Sequence, residues 1–153
     1  MLIAPHFLVG TAIATHTDPN EFWLAALAAL TSHFILDSIP HRDTIGGFHI
    51  NTANVIMEMF DVGFTFAVFF LLVPKSLWLY GLAISGVAIL PDIIAIPGLF
   101  WPQWYQLPII KPFHWWHTKI IQPPNEKMSW FWGLLPQILT VGTAIYFLTM
   151  KPL

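Results

Sequence analysis

The chain has 153 residues, of which 56% are hydrophobic and only 9% are charged, and its formal net charge is −2 at pH 7. An ordinary soluble domain carries about 25% charged residues, so the composition excludes a soluble globular domain and a disordered chain. It also excludes a nucleic-acid-binding protein, because six Lys and Arg residues cannot form the necessary basic stripe. With no cysteine, the chain can form neither disulfides nor thiolate metal sites. We therefore expect residues 1–153 to form one all-α domain in a membrane.

Five apolar segments are candidates for membrane helices. A span takes about 20 mostly apolar residues, and four segments approach or reach that length: Phe22–Ile39, Asn54–Val73, Leu77–Pro97 and Trp130–Met150. The first segment, Leu2–His16, is shorter and fits a tilted span, a half-span or a re-entrant helix. The sequence thus predicts a bundle of four to five transmembrane helices with a long interfacial loop.

The two longest connections, Pro40–Ala53 and Gly98–Ser129, fall on the same side of the membrane as the N-terminus if all five segments span. The second contains five prolines and several tryptophans, which suits a loop at the level of the lipid headgroups. This side carries four cationic side chains and the other side two: Arg42, Lys111, Lys119 and Lys127 against Lys75 and Lys151. The bias predicts that the N-terminal side faces the cytoplasm, in the inner (plasma) membrane of the cell.

The ionisable side chains in and near the spans are placed close to this cytoplasmic side. Each is a candidate functional residue, because inserting such a group costs about 2.5–3.5 kcal/mol at a helix centre. Six lie inside the spans and four just outside them: His6, His33, Asp37, Glu58, Asp61 and Asp92, then His41, Asp43, His114 and His117. Scattered packing residues would not be expected to converge on one face.

The carboxylates inside the spans have no Lys or Arg beside them, although buried charges require a partner. His33 and Asp37 are four residues apart and share a helix face, so both side chains can reach one ion. Imidazole with carboxylate ligands suits a divalent transition-metal ion, zinc or manganese, better than calcium or magnesium. We expect His33, Asp37 and Asp92 to hold the ion, with His6 or Asp61 completing its coordination.

Such an ion would lower the pKa of a bound water and polarise a scissile bond, as in metal-dependent hydrolases. Glu58 or His114 is the expected proton shuttle. Because the site lies at the lipid interface, the expected substrate is an amphiphile, such as a lipid phosphoester. The expected partners are membrane lipids and no nucleic acid.

Structural roles are open for the same residues. His33 and Asp37 can form hydrogen bonds that hold two helices together. The carboxylate of Glu58 can interact favourably with the positive end of the helix dipole at a helix start. Asp92 follows a proline, which can kink a helix, and His114 can anchor an aromatic interfacial segment. A metal or proton carrier and a non-catalytic scaffold stabilised by metal also fit the pattern, although the apolar opposite halves of the spans disfavour the carrier.

Three motifs carry a family resemblance: His6-x-x-x-Gly10, the string Ser32-His33-Phe34-Ile35-Leu36-Asp37 leading into Pro40-His41-Arg42-Asp43, and Leu90-Pro91-Asp92. With them the chain resembles the membrane-bound metal-dependent hydrolases, small inner-membrane proteins that include LexA-regulated members. The resemblance implies a helical membrane enzyme with a divalent-metal centre. It places His33, Asp37 and Asp92 among the metal ligands, together with His6 and His41. Many relatives carry a His-Arg-Gly-x-Thr-His string, which is absent here; residues 113–118 (Phe-His-Trp-Trp-His-Thr) are a degenerate counterpart.

Overall fold

The computed structural model describes residues 1–42, 50–121 and 128–150, and within these ranges the chain is helical with no strand. The α-helices of these ranges are α1 (Ile3–Thr15), α2 (Phe22–Ser38), α3 (Thr52–Leu72), α4 (Trp78–Ala88), α5 (Leu90–Ala95), α6 (Pro97–Phe100), α7 (Ile110–Trp116) and α8 (Trp130–Thr149). Short 3₁₀ turns lie before α2, α4 and α7, and a π-helical turn, His117–Ile121, follows α7. The prediction of an all-α chain is confirmed.

Helix α1 lies at the centre of the fold and packs against α2, α3, α4 and α8. Its first turn begins between polar side chains: the Leu2 amide donates to Gln137 of α8 and the Ala4 amide donates to Asp61 of α3, each over 3.0 Å. These acceptors satisfy amides that the start of a helix otherwise leaves unpaired. At 13 residues, α1 is about 20 Å long and shorter than a hydrocarbon core of about 30 Å. The structure therefore favours a half-span over a tilted span.

Two helices are long and apolar enough to cross a membrane, α3 with 21 residues and α8 with 20. A third candidate is the bent pair Lys75–Ala88 and Leu90–Phe100, whose halves meet at 59°. Helix α2 has 17 residues, which gives it a length of about 25 Å. The structure is compatible with a membrane location and supports two to three spans, so the predicted bundle of four to five spans is not confirmed.

The outward faces of the long helices are apolar. On α3, Met59, Phe60 and Leu71 are 70%, 77% and 81% exposed, and Phe131 and Ile138 are exposed on α8. Extended apolar surface of this kind is rare on soluble monomers, which is compatible with a membrane location.

Small side chains bring α1 and α4 close together. A Cβ added at Gly10 would lie 2.8 Å from the Cβ of Ala88 and 3.0 Å from the Cα of Ser85, so only glycine permits this approach. Beside it, the hydroxyl groups of Thr11 and Ser85 are hydrogen-bonded at 2.7 Å. Alanines of α2 pack against the same end of α4. These contacts fix the position of Ala88, the last residue of α4, on which the candidate site depends.

Candidate metal centre

Four ionisable side chains from three parts of the chain meet in one place: His33 and Asp37 of α2, Asp92 of α5 and His117 of the π-helical turn. One ligand atom from each lies within 4.8 Å of the others. His33, Asp37 and His117 are buried, whereas the side chain of Asp92 is 31% exposed. This His/Asp group could hold a metal ion, and we call these four residues the metal-site cluster.

The three buried members approach one another through their ligand atoms. His117 Nε2 lies 2.8 Å from Asp37 Oδ2 and 3.2 Å from His33 Nε2. His33 Nε2 lies 3.2 Å from the same Asp37 oxygen and 3.9 Å from Oδ1 of Asp92. Ligand atoms around a tetrahedral zinc ion, with bonds of about 2.0–2.1 Å, are about 3.3 Å apart. The three short distances are therefore close to those of a metal site, and Asp92 lies slightly farther out.

The orientation of His33 is fixed from behind by the end of α4. His33 Nδ1 donates to the carbonyl of Ala88 over 2.8 Å, so in the neutral ring Nε2 directs a lone pair into the cluster. Ala88 is free to accept because the amide of Asp92, its partner in a continuous helix, donates to Ile89 instead over 3.1 Å. Pro91 has no N–H and maintains this break. The same break brings Asp92 to the cluster.

The two oxygens of Asp37 have different neighbours. Oδ2 faces His33 and His117, whereas Oδ1 lies 3.1 Å from His6 Nε2 and 2.9 Å from the amino group of Met1. The His6 ring also stacks on His33, with ring centroids 4.2 Å apart. His6 thus contacts Oδ1, the oxygen of Asp37 far from the cluster, and leaves Oδ2, the near oxygen, to the cluster. The outer hydrogen-bond partners of metal ligands act in this way. The structure places His6, an expected ligand, behind the cluster.

The cluster contains more acceptors than hydrogens. Since Nδ1 of His33 donates to a carbonyl, Nε2 of the neutral ring is an acceptor, and Oδ2 of Asp37 is an acceptor as well. His117 Nε2–H can satisfy only one of them. Two acceptors 3.2 Å apart in a buried pocket repel each other unless a proton or a metal ion lies between them. A divalent ion would satisfy all of these atoms together, so the donor set fits a metal.

A small cavity lies against one member of the cluster, His117. The cavity has a volume of about 10 Å³, which is room for about one water. Its lining residues are Ile94, Ala95, Tyr105, Ile110, Phe113, His114 and His117. His114 stacks on Tyr105 with ring centroids 4.0 Å apart. Burial, followed by the charges of His117 and Lys119, lowers the pKa of His114. The ring is therefore neutral at pH 7 and able to accept a proton.

His117 is a ligand candidate that no spacing rule assigns. It lies three residues after His114 in the same aromatic segment, so the sequence cannot separate the two. The fold separates them: His117 begins the π-helical turn and reaches Asp37, whereas His114 lies against Tyr105. Single π-helical turns are rare and often occur at functional sites, but they cannot be recognised from residue spacing.

Three expected site residues lie outside the metal-site cluster. Asp61 accepts the Ala4 amide at the start of α1, so its carboxylate caps a helix outside the cluster. Glu58 is half-buried one turn earlier on α3. His41 is buried, and its Nδ1 donates to a backbone carbonyl two residues earlier over 2.7 Å. Asp43, which belongs to the family motif, lies outside the described residues.

Comparison of the chain with family models, with curated proteins and with solved structures gives no match. The resemblance to membrane-bound metal-dependent hydrolases therefore stays a prediction that rests on its motifs. Of the residues in those motifs, the fold brings His33, Asp37 and Asp92 into one group.

Proposed function

We propose that this chain is a membrane-embedded hydrolase that depends on a divalent metal ion, zinc or manganese, and acts on an amphiphilic substrate at the cytoplasmic face of the inner membrane. One observation carries the proposal. Three ligand atoms lie 2.8–3.2 Å apart in a buried pocket, the nearby Asp92 is partly exposed, and a cavity of one-water size lies against His117. A structural zinc site is closed by its protein ligands, whereas a catalytic site keeps an open position.

The roles of the residues follow from their positions. A bound divalent ion would supply a Lewis acid and a coordinated water of lowered pKa. His33, His117 and Asp37 would hold it, and Asp92, the most distant and most exposed member, would be the ligand that yields to water or substrate. Of the two expected proton shuttles, His114 lines the cavity, and we assign it the role of accepting a proton there.

The surface around the site supports an amphiphilic substrate. Trp115 and Ile120 lie on either side of His117 in the sequence and are 58% and 57% exposed. Exposed tryptophan and isoleucine at this position suit the boundary between headgroups and acyl chains. An amphiphile can keep its apolar part in lipid while its head group reaches the cavity.

The first test measures metal content. Wild-type protein purified in detergent and loaded with Zn²⁺ or Mn²⁺ should retain about one ion per chain, because the four residues of the cluster surround a single position. We expect His117→Ala and Asp37→Asn to lose the ion. Asp18→Asn is the matched control, since Asp18 is exposed and caps the turn before α2. Equal metal content in all four proteins would contradict the metal centre.

The second test measures hydrolysis. Esters and phosphoesters that carry a fluorescent acyl chain are presented in mixed micelles to the metal-loaded protein. We expect turnover that a chelator abolishes and metal restores, and a rate about 10²–10⁴-fold lower in His114→Ala with metal still bound, as for the loss of a general base. Metal retention without turnover would favour a scaffold, and metal flux into proteoliposomes without turnover would favour a carrier. Either result would overturn the hydrolase.

A further inference from the structure

The cavity beside the metal-site cluster has a mainly apolar wall. Four of its lining side chains are aliphatic or aromatic and come from α5 and α7: Ile94, Ala95, Ile110 and Phe113. The Phe113 ring lies parallel to the His117 ring, with ring centroids 5.9 Å apart. The Phe34 ring packs against both His33 and His117, with its centroid 5.4 Å and 6.0 Å from theirs. The two candidate histidine ligands are therefore in contact with apolar rings.

The wall has few side-chain donors and, among its described residues, no lysine or arginine. Besides His117, its polar side chains are those of Tyr105 and His114. The Tyr105 hydroxyl already donates to a carbonyl of α5 over 2.9 Å, and a neutral His114 ring carries one N–H. The amino group of Met1 contacts Oδ1 of Asp37, whereas His117 contacts Oδ2. Among the described residues of the wall, the N–H of His114 is thus the side-chain donor left for a ligand.

This wall suits an acyl group better than a phosphate group. In phosphoryl transfer the negative charge is spread over three oxygens, and enzymes stabilise it with several cations and donors. Charged oxygens that face an apolar wall without partners lose their hydration and gain nothing in return. In acyl transfer the negative charge develops on one oxygen, which a single divalent ion can stabilise. The remaining atoms of an acyl group are apolar and match the wall.

On the basis of the proposed hydrolase function, we propose that the bond cleaved at this site is an acyl bond, a carboxylic ester or amide of an amphiphile, and not a phosphoester bond. Water adds to the carbonyl carbon, and the bond from that carbon to the alcohol oxygen or amine nitrogen breaks. The products are a carboxylic acid and an alcohol or amine. His114 takes a proton from the water and returns it to the leaving oxygen or nitrogen.

Three chromogenic substrates with the same alkyl chain test the proposal in mixed micelles: 4-nitrophenyl decanoate, decanoyl 4-nitroanilide and 4-nitrophenyl decyl phosphate. Each rate with metal-loaded protein is divided by the rate with chelator-treated protein, so that differences in intrinsic reactivity cancel. We expect the acceleration to be about 10–100-fold larger for the decanoyl ester than for the phosphodiester, the effect of leaving charged oxygens without partners. Acceleration of the anilide as well would extend the substrate class to amides, and acceleration of the decanoyl ester alone would restrict it to esters.

A lysine placed in the wall should change this preference. Ile110 is half-buried and lines the cavity, so Ile110→Lys should reduce the ratio of acyl to phosphodiester acceleration by about tenfold, through one new charge-assisted contact. Ile109→Lys is the matched control, because Ile109 is 83% exposed and is not among the lining residues. The control should keep the wild-type ratio. Equal ratios in wild type and in folded Ile110→Lys would overturn the role of the wall.

Cobalt-loaded protein provides a readout that does not depend on turnover. The visible absorption of Co²⁺ is recorded during titration with decanohydroxamic acid, an acyl analogue, and with decylphosphonic acid. Each affinity is divided by that of the same compound for Co²⁺ in micelles without protein. We expect the protein to favour the hydroxamate, and preference for the phosphonate would overturn the inference.

The two proposals fail in different ways. Acceleration of the phosphodiester that equals or exceeds that of the acyl substrates would overturn the inference and leave the hydrolase. No metal-dependent turnover of any of the three substrates would overturn the hydrolase, and the cobalt titration would still report which head group the site prefers. Protein that takes up no Co²⁺ would overturn both.

Discussion

Replacing Gly10 with alanine is expected to weaken both the fold and the metal centre, although Gly10 lies outside the metal-site cluster. The new Cβ would lie 2.8 Å from Ala88 Cβ, whereas ordinary contacts begin at 3.4 Å, so the two helices must separate by about 0.6 Å at this point. The second close atom, at 3.0 Å, is the backbone Cα of Ser85, which no rotamer change can move. Because the carbonyl of Ala88 holds His33, the separation also strains the bond that orients a candidate ligand.

The magnitude follows from two opposing effects. Overpacking costs about 1–3 kcal/mol, and alanine gains about 1 kcal/mol over glycine in a helix, so the net loss of unfolding free energy is about 0–2 kcal/mol. Loss of an outer hydrogen-bond partner of a metal ligand weakens metal binding by about 10–100-fold. Gly10→Ala would only strain the bond between His33 and Ala88, so we expect a smaller loss of metal affinity.

The assay combines unfolding in detergent with chelator competition for Zn²⁺. The controls are Gly86→Ala and Gly142→Ala, where a Cβ meets nothing within 4 Å; both should be at least as stable as wild type. If Gly10→Ala matched these controls in stability and in zinc affinity, the proposed coupling through α4 would be wrong.

Three further predictions concern residues around the cluster. His6→Ala should keep the metal but bind it about 10–100-fold more weakly, as measured by chelator competition, because Oδ1 of Asp37 loses one of its two donors; complete loss of metal would instead make His6 a ligand. Gly98→Ala should lower stability by about 1–3 kcal/mol, since its Cβ would lie 2.1 Å from the ring of Tyr105, and wild-type unfolding would contradict this packing. His114 should titrate below 6.5 in an NMR experiment, because burial and neighbouring positive charges lower its pKa in the fold. Because the unfolded chain binds this proton more readily, the contribution of His114 to the free energy of unfolding is present above pH 6.5 and is lost as the pH falls toward the folded pKa. His114→Gln lacks this group and should lose less stability on acidification.

Local properties of the sequence suffice for the fold class and for part of the site. Apolar segments of about 20 residues favour helices, whose backbone groups are paired within each segment, and this can be judged without knowing any contact. The pairing of His33 with Asp37 is equally local, because a spacing of four residues on one helix places both side chains on one face. Asp92 is intermediate: the adjacent proline indicates a break, but its direction depends on how α4 packs.

The remaining assignments depend on residues that are distant in the sequence. Asp61 and Glu58 look equivalent to other buried acids until α1 is seen to begin against Asp61. His6 is expected as a ligand from the sequence, but it contacts Oδ1 of Asp37, outside the cluster. His117 has no assigned role in the sequence, but it contacts Oδ2, inside the cluster. The number of spans is also decided by tertiary contacts, since a helix as short as α1 is stable in this position only when neighbouring helices satisfy its first amides. Periodicity reports which face of a helix is apolar. The choice between candidate metal ligands depends instead on differences of a few tenths of an ångström in the distances between side chains of different helices. Only the packing of the helices determines these distances.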